Sequence, residues 1–210
     1  MAEPVARSPV AVAAPEVVLG GWAVSGRTSD AALTLVDCTP LSKVGVRGDP
    51  SLEPPPVGVR LGRAVRETWS DLGVLLVGAG PGEWLVLAPP GRQGEVRKEL
   101  SARASPSTGL LTVVDLTHGR ALFRLTGDRA ADVLACETAV DLDDDLRPDG
   151  AALRCGLAGL AVDLVRDDRG GPPSYLLHCE RSSGQYLFDV LLESGHEFGV
   201  DIAGFVPPGI

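Results

Sequence analysis

The chain has 210 residues, and its 28 aspartates and glutamates outnumber its 19 lysines and arginines, which gives a net charge of −9. This acidity excludes nucleic acids and anionic membranes as primary partners, because binding by counterion release requires a basic surface. Three Trp, two Tyr and four Phe provide little for a base-stacking surface. The length fits one large domain or two small halves, with a core that needs no metal or disulfide to fold.

The sequence lacks the features of a membrane-spanning or exported protein. It has no run of roughly 18 apolar residues, and its longest strongly apolar run near the N-terminus covers only residues 17–19. No two cysteines have C-x-x-C spacing, which argues against a zinc site. We therefore expect a cytoplasmic protein with four free thiols, at Cys38, Cys136, Cys155 and Cys179.

Residues 1–31 are rich in Ala, Val, Pro and Gly and show neither helical nor strand periodicity. We interpret them as a flexible N-terminal arm, with a disordered tail as the simpler alternative. Trp22 is the exception in composition, and aromatic residues of this kind are enriched at interfaces. It is a candidate docking anchor.

From about residue 32 onward, the sequence predicts strands with a few helices. The first half has strands at 33–38, 74–77 and 83–88 and a helix at 93–103, and its glycine-rich segment 78–82 reads as a hairpin turn. The second half has strands at 112–116, 120–126, 152–157, 160–166 and 175–179. Its final helix, at 183–198, begins with a Ser182-x-x-Gln185 capping box.

The two halves follow the same order at their ends, because strand 84–88 with helix 93–103 resembles strand 175–179 with helix 183–198. Strands with a few covering helices favour an α+β fold over regular βαβ winding. We therefore predict a single α+β domain over residues 32–205. It comprises two helix-covered halves of antiparallel or mixed sheet, about 32–110 and 111–205.

The motifs that suggest catalysis or cofactor binding fail on inspection. The segment 78–83 resembles a dinucleotide-binding loop, but Glu83 replaces the last glycine and a strand follows instead of a helix. The acidic segment beginning at Asp141 does not match an EF-hand, because its sixth position is Leu146. The histidines show no metal-ligand spacing, although a Cys–His pair formed in space stays open. Arg120 and Arg124 share a strand and either bind an anion or are surface charges.

Two groups of motifs carry a resemblance to a known family. The first group comprises residues 43–48 (Lys-Val-Gly-Val-Arg-Gly) and 80–85 (Gly-Pro-Gly-Glu-Trp-Leu). The second comprises residues 114–120 (Val-Asp-Leu-Thr-His-Gly-Arg), 125–130 (Leu-Thr-Gly-Asp-Arg-Ala) and 140–142 (Val-Asp-Leu). Over most of residues 33–200, the chain resembles the gamma subunit of heterotetrameric sarcosine oxidase.

The resemblance implies a non-catalytic, structural subunit with no cofactor of its own. The family's complex demethylates sarcosine oxidatively to glycine, with tetrahydrofolate as the one-carbon acceptor. FAD, FMN and NAD belong to partner subunits of the alpha and beta type, and the small delta subunit carries zinc. We thus expect larger oxidase subunits as the partners.

A broader resemblance links residues 115–166 to the folate-binding domain of glycine-cleavage aminomethyltransferases. Asp141 falls at the position of an aspartate that this family uses near folate, although the hairpin that follows is shortened to residues 156–163. The resemblance implies an alternative function as a stand-alone folate-binding or folate-dependent one-carbon transfer protein, with tetrahydrofolate as its ligand. On the structural alternative, Asp141 only supports the fold. A third hypothesis is a protein of the same fold that serves only as an adaptor between other proteins.

Overall fold

The computed structural model describes residues 4–51, 55–103 and 111–210. The strands in these ranges are β1 (Ala6–Arg7), β2 (Glu16–Leu19), β3 (Trp22–Ser25), β4 (Leu33–Asp37), β5 (Ser42–Arg47), β6 (Ala64–Trp69), β7 (Leu72–Gly80), β8 (Glu83–Ala88), β9 (Thr112–Asp115), β10 (Arg120–Thr126), β11 (Ala152–Leu157), β12 (Leu160–Arg166), β13 (Ser174–Glu180) and β14 (Val200–Ala203). The helices are α1 (Gln93–Arg103), α2 (Ala130–Ala135) and α3 (Gly184–Gly195).

Two large sheets form the body of the protein, in the strand orders β6-β7-β8-β5-β9 and β11-β12-β13-β10-β4-β14. All neighbours in them are antiparallel except β4 and β14, which run parallel. One apolar cluster lies between the five-stranded sheet and α1, and a second joins the six-stranded sheet to α2 and α3. A third cluster lies between the two sheets. The α+β fold class and the helix-covered sheets are thus confirmed.

The two halves repeat one another more closely than the sequence analysis predicts. Hairpin β6–β7 and hairpin β11–β12 have matching registers, and each is followed by a strand and a covering helix. A Val-Asp-x-Thr segment occurs at residues 36–39 and again at 114–117. The Thr39 hydroxyl accepts a hydrogen bond from the Leu122 amide at 3.2 Å, and the Thr117 hydroxyl accepts one from the Lys43 amide at 3.1 Å. These reciprocal bonds join the two halves.

Strand pairing crosses the expected boundary between the halves. β4 precedes the five-stranded sheet in sequence but pairs with β10 and β14 of the six-stranded sheet. β9 belongs to the second half by sequence but pairs with β5 of the first. Each half thereby contributes one strand to the sheet of the other, β4 inside the six-stranded sheet and β9 at the edge of the five-stranded one, so neither sheet is complete without both halves.

The sequence predicts a flexible arm over residues 1–31. In the structure, part of this segment forms a small sheet with the order β1-β3-β2. Trp22 is only 4% exposed and joins the cluster between the two large sheets. Its ring stacks on His118 with a centroid distance of 4.9 Å. Gly20 and Gly21 have positive φ and form the two-residue turn between β2 and β3. A Gly-Gly pair is a signal for a hairpin, but it produces neither helical nor strand periodicity in the sequence.

The start of α3 also differs from the capping-box expectation. The helix begins at Gly184, and Ser183 at its N-cap makes no side-chain capping bond. Gln185 instead accepts a hydrogen bond from the Ala11 amide at 2.7 Å. An added Cβ on Gly184 would lie 2.5 Å from the Pro9 side chain, so glycine is required where the N-terminal segment crosses the helix.

Candidate functional site

A pocket of about 90 Å³, lined by both apolar and charged side chains, opens at one end of the layer between the two large sheets. Its six-stranded wall carries Asp163 on β12 and His178 on β13, and the opposite wall carries Glu83 on β8. Along β13, Leu176 and His178 share the face toward the other sheet, because strand side chains alternate. The apolar layer between the sheets therefore ends in ionisable side chains.

These side chains form a continuous chain of contacts across the two sheets. Asp163 and His178 are register partners, and His178 Nδ1 lies 3.0 Å from Asp163 Oδ2. Arg154 donates from Nε to Asp163 Oδ1 at 2.7 Å and from Nη1 to Glu83 Oε2 at 3.0 Å. Arg47 pairs with the other oxygen of Glu83 at 3.0 Å. Arg154 thus ties the two walls of the pocket together.

The protonation states follow from this arrangement. Burial would raise the pKa of Asp163, but hydrogen bonds from His178 and Arg154 outweigh it and hold the pKa below its usual range. Burial lowers the pKa of His178, and Asp163 offsets this only in part. A neutral imidazole beside an ionised carboxylate donates from Nδ1, because the carboxylate accepts only. Nε2 of His178 then carries a free lone pair.

That lone pair has no partner within the part of the chain that the structure describes. His178 is 5% exposed, and its Nε2 is buried and makes no hydrogen bond there. A buried acceptor without a partner costs roughly 1–3 kcal/mol. Chemically, the Asp163–His178 pair can accept a hydrogen bond or a proton at Nε2.

Of the residues singled out from the sequence, only one of the three histidines, His178, lies at the centre of this pocket. Asp141 lies in an exposed loop, where its Oδ1 accepts a hydrogen bond from the Asp143 amide at 3.0 Å, and it does not line the pocket. Arg120 does line it and pairs with Glu180 at 2.8 Å. Arg124 is buried elsewhere, so it is not a surface charge. Asp163 itself was a signal for this pocket in the sequence. It places a carboxylate on the same strand face as Val165, which points into the core.

At the opposite end of the same layer, Asp167 forms a second ionic cluster. Arg66 donates to its carboxylate at 2.9, 2.6 and 2.5 Å, and Arg124 donates to it at 2.6 Å. Arg66 comes from the five-stranded sheet and Arg124 from the six-stranded one. This cluster clamps the two sheets together, and Arg124 Nε in it is buried without a hydrogen-bond partner in the described residues.

Lys43 is a third unusual group between the sheets. Its ammonium donates to the carbonyls of Thr39 and Leu41 at 2.7 and 2.8 Å, and the residue is fully buried. Burial lowers the pKa of Lys43 to about 7. It lines none of the pockets described here, which favours a structural role.

The described ranges contain no cluster of three or more His, Cys, Asp or Glu side chains placed to bind a metal ion. All four cysteines are free. In those same ranges, every helix is too short or too polar to span a bilayer.

The fold is similar to two solved structures. A chain of heterotetrameric sarcosine oxidase from Corynebacterium sp. U-96, in complex with pyrrole 2-carboxylate, matches with a TM-score of 0.61 and 22% identity, covering 84% of this chain and 90% of that one. The glycine cleavage system aminomethyltransferase T from Bartonella henselae matches with a TM-score of 0.69 and 18% identity. That match covers 90% of this chain but 55% of the aminomethyltransferase, so this chain spans about half its length. No protein-family model and no curated protein matches the sequence.

Proposed function

We propose that this chain is a non-catalytic structural subunit of a cytoplasmic, flavin-dependent heterotetrameric sarcosine oxidase, in the place of the gamma subunit. The observation that carries the proposal is the extent of the fold match. It covers 84% of this chain and 90% of the sarcosine oxidase chain, so the two correspond over nearly their whole lengths. In this assembly the flavins, NAD and the folate site belong to the larger subunits.

The surface of the N-terminal sheet supports association with a larger partner. Val5 beside β1 and Val18 on β2 are 44% and 57% exposed, and β2 is an edge strand of its sheet. Exposed apolar side chains beside a free strand edge are features of interaction sites. An oxidase subunit that covers this surface would remove both from water.

Capture of the complex tests the proposal. The tagged chain is purified from its native source at near-physiological salt, and the eluate is examined for subunit composition and visible absorbance. We expect a yellow, flavin-containing complex with larger subunits. A Val18→Asp variant should recover less of that complex, while the exposed Asp144→Asn substitution should not change recovery. A colourless chain that elutes alone, in a source shown to express sarcosine oxidase activity, would contradict the proposal.

The alternative is a stand-alone folate-binding or one-carbon transfer protein, favoured by the TM-score of 0.69 to aminomethyltransferase T. Under this alternative, Asp141 helps to hold tetrahydrofolate. Titration of tetrahydrofolate into the wild type and Asp141→Asn distinguishes it from the subunit role. Saturable binding weakened in the variant supports the alternative, and the absence of a saturable signal in the wild type eliminates it.

A further inference from the structure

Three guanidinium groups converge on one carboxylate oxygen in the Asp167 cluster. Oδ2 of Asp167 lies 2.5 Å from Nη2 of Arg66 and 2.6 Å from Nη2 of Arg124. Nε of Arg169 lies 3.8 Å from the same oxygen, beyond hydrogen-bond distance. Burial lowers the pKa of Arg169, and repulsion from Arg124 lowers it further. One negative charge therefore faces three positive charges, and Arg169 is the least compensated of them.

The other carboxylates nearby are engaged elsewhere. Asp144 and Asp168 pair with the guanidinium group of Arg166. Asp149 is exposed, and its Oδ1 accepts a hydrogen bond from the Asp168 amide at 2.9 Å. Among the described residues, none of these three carboxylates lies within ion-pair distance of Arg169. The positive charge of Arg169 is therefore not balanced by a second aspartate.

A cavity of about 350 Å³ adjoins these groups. Its charged lining consists of three arginines, Arg66, Arg166 and Arg169, and two carboxylates, Asp149 and Asp167. The side chain of Arg166 is 6% exposed, and those of Arg66 and Arg169 are each 39% exposed. Electrostatic attraction is stronger where water is partly excluded. The volume lies within the roughly 300–1,000 Å³ of small-molecule sites, and the excess of one positive charge in the lining favours an anion.

The turn that carries Arg169 favours a different residue at this position. The Gly171 amide donates to the Asp168 carbonyl at 2.9 Å, which closes a turn with Arg169 and Gly170 at its centre. Both central residues have positive φ, +57° for Arg169 and +72° for Gly170. Such turns favour Asn, Asp or Gly, because larger side chains are strained at positive φ. The arginine is thus held at a cost in backbone strain, a feature that clusters at functional sites.

We propose that this cavity binds a small-molecule anion, whose carboxylate or phosphate group pairs with the guanidinium groups of Arg169 and Arg66. Each guanidinium has five N–H donors. Arg66 donates to Asp167 from Nε and Nη2, and Arg169 donates to the Gly209 carbonyl from Nη2, so each keeps further donors for a ligand. Paired N–H groups of arginine match the geometry of carboxylates and phosphates. The site is independent of the subunit assignment, because it uses only this chain's own residues.

Calorimetric titration of the purified full chain with inorganic phosphate and, separately, with acetate tests the site. The net charge of −9 disfavours non-specific binding of anions, and potassium chloride at matched ionic strength controls for screening. We expect saturable binding of at least one of the two probes at millimolar concentrations and none of chloride. The probe that binds more tightly identifies the anionic group of the ligand as a phosphate or a carboxylate.

The key variant is Arg169→Asn, which removes the guanidinium group and places a residue suited to positive φ in the turn. It should unfold at or above the wild-type temperature and bind the probe at least ~10-fold more weakly, a loss of about 1.4 kcal/mol or more. Arg97→Gln is the matched control, because Arg97 is exposed on α1 and does not line the cavity. This control should bind the probe as the wild type does.

Two results would overturn the proposal. The first is a wild type that binds neither phosphate nor acetate saturably. The second is a folded Arg169→Asn variant that binds the probe as tightly as the wild type, which would leave Arg169 with only a structural contact to Gly209. Neither result would affect the capture of oxidase subunits, which tests the subunit assignment separately.

Discussion

Removal of the Asp167 carboxylate should destabilise the protein by separating its two sheets. The side chains of Asp167 and Arg124 are 5% and 7% exposed, and that of Arg66 is 39% exposed. In an Asp167→Ala variant, Arg66 can turn into water, but Arg124 keeps its charge inside the core. Its remaining side-chain partner is the Ser174 hydroxyl, at 2.8 Å. The loss in free energy of unfolding is therefore that of leaving a buried cation without its counter-ion.

Breaking a buried ion pair by removing one partner costs about 3–5 kcal/mol. For a chain of this size, 1 kcal/mol corresponds to roughly 2–4 °C in Tm, so we expect Tm to fall by roughly 10 °C. Burial would raise the pKa of Asp167, but the two guanidinium groups hold it below the usual value. Its contribution is therefore present above the unfolded-state pKa of about 4 and is lost as the pH falls through the lower folded-state value.

Calorimetry of wild type and variant at neutral pH measures the effect. Asp144→Asn is the matched control, because Asp144 is 79% exposed and its buried partner Arg166 keeps the carboxylate of Asp168. This substitution should lower the free energy of unfolding by less than about 1 kcal/mol. A combined Asp167→Leu, Arg124→Met variant should regain much of the lost stability, because the buried cation is gone as well. An Asp167→Ala variant that melts within about 2 °C of wild type would refute the claim that this cluster clamps the sheets.

Three further predictions concern the core and the thiols. Burial lowers the pKa of Lys43 from its ordinary value of 10.5 to about 7. Between these two pH values the unfolded state binds one more proton than the folded state, so the free energy of unfolding should rise with pH by up to about 1.4 kcal/mol per pH unit. Denaturant titrations from pH 7 to 8.5 should show this rise in wild type, and an equal rise in Lys43→Met would contradict it. Trp22→Ala should cost about 3 kcal/mol and increase hydrogen exchange in β2 and β3; unchanged exchange would show that Trp22 does not hold this sheet. Cys136 is exposed, whereas Cys38 is buried with its pKa raised by burial to about 11, so a thiol reagent at pH 8 should label Cys136 first, and Cys136→Ser should remove the fast phase.

Local sequence patterns were sufficient to predict the features that depend on a single strand, helix or turn. The alternation in 120–126 correctly separates Leu122 from Phe123, which face different apolar clusters. The hairpin predicted around residues 78–82 is present, but its turn is confined to Pro81 and Gly82, because β7 continues through Gly80. Gly82 has φ of +66°, and a Cβ there would lie 2.4 Å from the Gly48 carbonyl, so this position requires glycine for the turn.

The pocket could not be predicted in this way because its residues meet only through long-range register. Asp163 and His178 are brought together by pairing of β12 with β13, and Glu83 reaches Arg154 from the other sheet. Likewise, nothing local in the sequence indicates that Lys43 is fully buried. The Val-Asp-x-Thr repeat was visible in the sequence, and it would have revealed the pairing of the halves.

The most direct test of the account is a comparison of sarcosine-dependent hydrogen peroxide production by the isolated chain and by the complex captured with it. We predict turnover by the flavin-containing complex and none by the isolated chain, and the complex assembled with the Asp163→Leu, His178→Leu variant should still turn over sarcosine. Peroxide production by the isolated chain, or a captured complex without flavin and without activity, would contradict the role of a non-catalytic oxidase subunit.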